Sequence, residues 1–390
     1  MPSDAPSFKD FLPISIAVFV AMLGLGMLVP VLPALAARSS SSALAAGALL
    51  SGFGVARLIS NVPAGLLADS AGIRATMGVG LVLIAFGAFL GAREAGYAPL
   101  VASILLQGAG GAVFVTAALT AFVDRAGPAR RGTAMAWYQG ALLLAISIGP
   151  CFGGLLAERY DARAPFVCQG VLALLTLGIV LRVRGEGTAP KRQNGPSLGL
   201  LGRPALFAAC FMGLAGFFAR TAAAWGLVPV VAPTLHGMTP SDVGLLIGVG
   251  TAANFIALPL VGRATDRWGA RPTLLVTAAL TVAALVLLAA VPQAWALWLG
   301  TALVMVGTGA MLPAAGSLAL AAGADAGTGA VTGLVRATGD LGMALGPIAA
   351  TGLAAAAGLP AVDGFWITAA LVAGASGLFL AAGGARRAAA

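Results

Sequence analysis

Apolar runs of roughly twenty residues recur about a dozen times along this chain, and they limit its fold more sharply than any other feature. A helix of ~20 apolar residues crosses a ~30 Å hydrocarbon layer. In lipid each backbone N–H and C=O must be satisfied within the protein, so only helices and closed barrels cross. Barrel strands are alternating segments of about ten residues, and these runs are longer and do not alternate. The chain is therefore predicted to be an all-α membrane protein with twelve transmembrane helices. Breaks at charged, Pro-rich and Gly-rich interruptions place them near 12–36, 44–67, 75–92, 98–122, 133–156 and 164–182, then 205–232, 242–264, 272–291, 294–321, 329–357 and 364–383.

Only 9% of the residues are charged and 59% are hydrophobic, whereas soluble domains carry about a quarter charged. There is too little polar surface to cover a water-facing exterior. The 55 glycines would each cost a soluble helix about 1 kcal/mol relative to alanine. Between membrane helices, small residues instead let backbones approach closely.

The net charge of +9 raises nucleic acid as a partner, and its distribution argues against it. Lys9, Arg74, Arg125, Arg130, Arg131, Arg182, Arg184, Lys191, Arg192, Arg203, Arg263, Arg267, Arg271, Arg386 and Arg387 fall in the N-terminus, every second loop and the C-terminus. Only Arg38, Arg93, Arg159 and Arg163 fall in the opposite loops. The positive-inside rule then puts both termini in the cytoplasm of a bacterial-type inner membrane. The run from Phe11 to Ala37 is too long for a signal-peptide core and is read as a retained first span. Cys151, Cys168 and Cys210 lie in or at the end of spans without CxxC spacing, so neither a disulfide framework nor a metal site is expected.

The polar stretch from Val183 to Arg203 divides the chain at its middle and reads as a linker. The expected domains are a six-helix bundle over 1–183, a cytoplasmic linker over 184–203 and a second six-helix bundle over 204–390. The halves repeat at one offset, 197. Gly65, Asp69, Gly72 and Arg74 recur as Gly262, Asp266, Gly269 and Arg271, and Gly149-Pro150 recurs as Gly346-Pro347. A single offset held across three spans indicates a duplicated six-span unit.

The segments GLLADSAGIR (65–74) and GRATDRWGAR (262–271) lie in matching short loops. They resemble the G-x-x-x-D-x-x-G-x-R loop signature of the major facilitator superfamily. Glycine allows the tight turn, and a carboxylate there can accept from a helix N-terminus or an arginine, forming a latch. Gly149, Pro150, Gly153 and Gly154 resemble the GPxxGG motif of the drug:proton antiporters of that superfamily, where proline kinks the fifth span. The resemblance implies twelve spans in two pseudo-symmetric halves, alternating access and export. In that family an arginine commonly stands three residues before a Gln-Gly pair in the fourth span. Here Gln107-Gly108 is preceded by Ile104, so proton coupling must be sought elsewhere.

Charges within spans are expensive and mark candidate functional sites. Four stand out: Arg57, Arg220, Arg336 and Asp340. Thr332, Arg336 and Asp340 lie on one helical stripe, with Asp340 ~16 Å deep from a start near Gly329 at ~1.5 Å per residue. Asp340 is thus the carboxylate expected at mid-span, either carrying the coupling proton or locked in an ion pair with Arg336. Arg57 and Arg220 have two readings, contact with an anionic substrate group or a structural role. Three arginines against one aspartate favour an anionic, zwitterionic or polyhydroxyl substrate over a strongly cationic one. Gln107, Tyr138, Gln139, Thr251 and Asn254 are the further candidate cavity residues.

The expected function is secondary active export of a small organic compound by proton antiport, carried out by a monomer in the lipid bilayer. The alternatives are proton-coupled uptake of an organic anion or sugar, and a membrane sensor that transports nothing. No Walker A sequence occurs, and no nucleophile with a base or metal cluster suggests an enzyme. No cofactor is expected.

Overall fold

The computed structural model describes residues 8–39, 44–93, 96–126, 131–182, 202–323 and 328–388. These residues form an all-helical bundle. In the N-terminal half, α1 (Phe8–Met27) and α2 (Leu32–Ser39) are followed by α3 (Leu44–Ala71), α4 (Ile73–Gly91), α5 (Tyr97–Ala126), α6 (Arg131–Arg159) and α7 (Ala164–Arg182). The C-terminal half holds α8 (Pro204–Thr221), a π-helical segment (Ala222–Leu227), α9 (Val228–His236), α10 (Pro240–Trp268), α11 (Ala270–Ala290), α12 (Ala294–Ala322), α13 (Thr328–Ala356) and α14 (Gly364–Ala388). The linker expected at 184–203 lies outside the described residues except for Gly202 and Arg203.

Ten helical stretches are long and apolar enough to cross a membrane. The other two of the twelve spans are the first and the eleventh. In the first, a turn at 28–31 separates α1 from α2. The eleventh, α13, is long enough, but Arg336, Asp340 and its glycines dilute its apolar character. The seventh span runs unbroken as α8, the π segment and α9.

Lipid removes the hydrophobic drive between helices, so packing contact and close backbone approach hold the bundle. Within the N-terminal half α4 meets α5 at glycines: a Cβ on Gly80 would lie 2.6 Å from the Phe114 nitrogen, and one on Gly110 would lie 2.6 Å from the Gly80 carbonyl oxygen. Gly307, at the 197 offset from Gly110, packs on Thr277 and Thr281 between α11 and α12 in the same way. Most buried apolar side chains gather half by half. Met77, Leu81, Ile84, Phe114 and Phe122 share one cluster, while Leu246, Ile247, Leu285, Met305 and Phe365 share another.

The two repeated loops have the same backbone. Gly72 has φ 85° and ψ 158°, and Gly269 has φ 89° and ψ 158°, a region open to glycine almost alone. Their carbonyls accept from the hydroxyls of Thr76 and Thr273, each at 2.9 Å. The first glycines of the two motifs behave differently, since a Cβ on Gly65 or Gly262 would meet nothing. Where α10 begins, Thr239 and Asp242 form a reciprocal cap: the Asp242 amide donates to Thr239 Oγ1 (3.2 Å) and the Thr239 amide to Asp242 Oδ2 (2.9 Å).

Candidate functional site

The halves touch along two seams related by the internal repeat: α3 against α13, and α6 against α10. Glycine sets both. A Cβ on Gly47 would meet the Pro347 carbonyl oxygen, and one on Gly244, at the 197 offset, would meet that of Pro150. Gly54 lies against the backbone of Met343 and Ala344, Gly154 against Pro240, and Gly248 against Ser147 and Cys151. These approaches all fall on the end of the bundle away from the termini. On the terminal side, added Cβ atoms at Gly65, Gly140, Gly262 and Gly316 would face open space. The close backbone approaches between the halves thus gather toward the end away from the termini.

Proline shapes both seams. Gly149 and Gly153 bring α6 onto the backbone of α1 at Gly26 and Met27, while Gly346 brings α13 onto α8 at Phe218 and Thr221. Proline removes one helical N–H and disturbs the ladder beside it. Next to Pro347 the freed geometry is used across the seam, where the Ile348 amide donates to Ser51 Oγ of α3 at 3.0 Å. A side-chain oxygen on a neighbouring helix thus satisfies backbone that lipid could not. At the equivalent place in the other seam stands Gly248, with Cys151 packed on it.

The α3–α13 seam carries the charges. Arg57 Nε donates to Asp340 Oδ1 at 3.3 Å, with the side chains only 14% and 6% exposed. Asn61 Nδ2 donates to Asp340 Oδ2. Both carboxylate oxygens of α13 are therefore held by α3 of the other half. Tyr138 of α6 is buried and faces the Arg336 guanidinium, with Arg57 and Asp340 in electrostatic range. Behind the pair, the Arg57 guanidinium lies 6.0 Å from the Phe53 ring centre, and Phe53 meets Trp225 of the π segment edge-on at 6.4 Å.

The carboxylate on the Thr332–Arg336–Asp340 stripe is thus bound to Arg57, 283 residues away, and not to its helical neighbour Arg336. An ionised carboxylate is acceptor-only and binds guanidinium by charge-assisted hydrogen bonds. Once protonated it loses that charge and becomes partly a donor, which weakens its hold on both Arg57 and Asn61.

Other candidates lie elsewhere. Gln107 is fully buried; its Nε2 donates to Ser103 Oγ (2.9 Å) and its stem packs on Gly87 of α4, so it belongs to the α4–α5 contact. Thr251 is fully buried and returns its hydroxyl to the Ile247 carbonyl (2.9 Å). Asn254 packs against Gly309 of α12. Arg220 donates through Nη1 to the Met305 carbonyl of the same helix at 3.5 Å. The side chains of Gln139 and Asp69 lie outside the described residues. In the second loop motif no ion pair joins Asp266 to Arg271, whose guanidinium instead lies 5.6 Å from the Phe379 ring centre. Arg74 is exposed. Among the described residues no group of His, Cys, Asp and Glu is arranged to hold a metal ion. Sequence reasoning passed over Asn61 and Ser51. Asn61 sits one turn after Arg57 in an apolar span, a signal that was there to be read.

The family model described as Major Facilitator Superfamily matches residues 14–225 and 214–388. Multidrug resistance protein 1 of Bacillus subtilis (strain 168) is 28% identical over 303 residues, covering 76% of this chain and 77% of that protein. The quinolone resistance protein NorA of Staphylococcus aureus (strain Mu50) is 28% identical over 167 residues, 42% of each chain. Among solved structures, a bacterial homolog of the human lysosomal transporter Spinster aligns with a TM-score of 0.76 at 14% identity, covering 96% of both chains.

Proposed function

This chain belongs to the major facilitator superfamily, and on that footing we propose that it exports small organic compounds by proton antiport through alternating access. It is a multi-pass membrane transporter and not an enzyme. In the proposed organisation residues 1–183 and 204–390 are the two rocking bundles and 184–203 the cytoplasmic linker. Both termini are cytoplasmic, the membrane is a bacterial-type inner membrane, and the working unit is a monomer. With that orientation the end where Gly65, Gly140, Gly262 and Gly316 have open space beside them faces the cytoplasm, where an exporter collects its substrate.

The observation that carries the coupling proposal is the Arg57–Asp340–Asn61 bridge between halves. Asp340 is the proton carrier in this reading. Ionised, it clasps α3; protonated, it releases α3 and lets the seam open toward the other face. Tyr138 and Arg336 line the same region, and Gln139 is assigned there from sequence. The loops at 65–74 and 262–271 act as latches on the cytoplasmic side, their first glycines poised for a partner that arrives when that side closes.

Export is favoured over uptake by the Gly149-Pro150-x-x-Gly153-Gly154 kink motif and by the multidrug and quinolone resistance proteins among the relatives. The test is accumulation of the quinolone norfloxacin in efflux-deficient cells. Cells making the protein should hold less drug than controls, and an uncoupler should erase the difference. Greater accumulation in the expressing cells would favour the uptake reading.

A further inference from the structure

We propose that Glu158 of α6 and the first turn of α10 form a catch that fastens the two halves at the end of the bundle away from the termini. It belongs to the seam that the Arg57–Asp340–Asn61 bridge does not touch. It rests on the reading of the chain as a transporter whose halves move, and is independent of the direction of transport.

Helices α6 and α10 meet turn by turn. Gly248 lies against Ser147 and Cys151, Gly244 against Pro150, and Gly154 against Pro240 and the Ser241 Cα. Each step of about one turn toward the start of α10 matches a step of about one turn toward the end of α6. The turn after Gly154, which bears Glu158, therefore meets the beginning of α10. The Glu158 side chain is exposed there, and its carboxylate faces the hydroxyls of Ser241 and Thr239 and the Ser241 amide.

That end of α10 has donors to place. The first N–H groups of a helix find no partner within it. Pro240 has no N–H, the Asp242 amide donates to Thr239 Oγ1 at 3.2 Å, and the Val243 amide donates to the Thr239 carbonyl at 3.1 Å. This leaves the Ser241 amide. The Ser241 hydroxyl, for its part, is buried without a hydrogen-bond partner. Both donors sit on one residue, and the carboxylate turned toward them comes from the other half.

An ionised carboxylate is acceptor-only, and the positive end of a helix favours it. A small rotation of the exposed Glu158 side chain completes the bond to Ser241. Among the described residues the other charge that bears on Glu158 is Asp242, which is held in the Thr239 cap. At the 197 offset Glu158 becomes Ala355, so the α3–α13 seam carries no carboxylate at that place. One seam is fastened inside the span and the other at its rim.

Cys151 is a native reporter of the α6–α10 seam. Its thiol lies on Gly248 and donates to the Gly244 carbonyl at 3.5 Å, about 10 Å along α6 from Glu158. In full-length protein with Cys168 and Cys210 replaced by alanine, right-side-out and inverted membrane vesicles are treated with a membrane-impermeant maleimide. The rate of Cys151 modification is followed by mass. Glu158→Gln should speed modification about twofold to fivefold, in right-side-out vesicles only. Ser241→Ala should speed it less, and the double variant should be no faster than Glu158→Gln alone, because both act through one contact. Asp161→Asn removes an exposed charge whose carboxylate accepts from the Arg163 and Ala164 amides at the start of α7, and should leave the rate unchanged. The proposal is overturned if Glu158→Gln is modified at the wild-type rate from both sides, if Asp161→Asn speeds modification equally, or if the Glu158 and Ser241 effects simply multiply. An effect confined to inverted vesicles keeps the catch and reverses the proposed orientation. Modification needs no substrate, so a failure to export norfloxacin would sink the export reading and spare the catch.

Discussion

Arg57 Nε of α3 lies 3.3 Å from Asp340 Oδ1 of α13, joining the two halves across 283 residues of sequence. Both side chains are largely removed from solvent, so Asp340 has exchanged hydration for Arg57 and Asn61, and Arg57 for Asp340. Taking one member from a buried pair costs about 3–5 kcal/mol, because the other charge stays buried alone. Arg57→Ala and Asp340→Ala should each lower the melting temperature in detergent. The double variant should be more stable than the sum of the single losses predicts, by roughly 0.5–3 kcal/mol of coupling. Additive losses would show that the pair contributes nothing jointly.

The repeated loops give a paired prediction. Gly72→Ala and Gly269→Ala place a side chain on backbone near φ 85–89°, a strain of about 1–3 kcal/mol each. Both should destabilise, and by similar amounts. Gly65→Ala and Gly262→Ala meet open space here and should leave the melting temperature nearly unchanged. Any loss they cause should appear in transport rate, since their contacts would belong to the other state.

The α6–α10 seam leaves no room for a side chain at Gly154. An added Cβ there would come within 2.9 Å of the Ser241 Cα and closer still to the Pro240 carbonyl oxygen, nearer than packed atoms come. Gly154→Ala should therefore push α6 and α10 apart and lower the melting temperature, by about 1–3 kcal/mol of overpacking. An unchanged melting temperature would mean that the seam has slack at this point.

Ser51 offers a smaller, cleaner measurement. Its Oγ accepts the Ile348 amide beside the Pro347 kink. Ser51→Ala should cost about 1 kcal/mol by removing the acceptor of this part-buried bond, and Ser51→Thr, which keeps the oxygen, should cost less. Thermal unfolding of the two variants side by side checks the order.

How much of this was legible beforehand follows from what a membrane span encodes. Charge breaks and the 197 offset located the helices to within a few residues, because lipid punishes polar groups inside spans and each interruption is therefore a signal. The same logic singled out Arg57, Arg220, Arg336 and Asp340. Facing was not legible. A span that is apolar all round has no polar face to orient it, so the stripe from Thr332 to Asp340 suggested the neighbour Arg336, whereas the bound partner sits on α3. Gln107 and Thr251 were assigned to a cavity because they are polar. Gln107 gives its Nε2 to a serine at its own i−4 position inside the α4–α5 contact, and Thr251 returns its hydroxyl to its own backbone. The π segment left no mark at all, since alanine and glycine fit α and π turns alike.

The most direct measurement is substrate-driven proton movement in proteoliposomes carrying Asp340→Asn. Asparagine keeps the shape and can still meet Arg57 and Asn61, but it cannot exchange a proton. With norfloxacin as the driven substrate, the wild type should move protons against drug flow, and Asp340→Asn should abolish that movement while facilitated drug exchange persists. Proton movement at the wild-type level in the variant would contradict the assignment of Asp340 as the carrier and return the Arg57–Asp340 pair to a purely structural role.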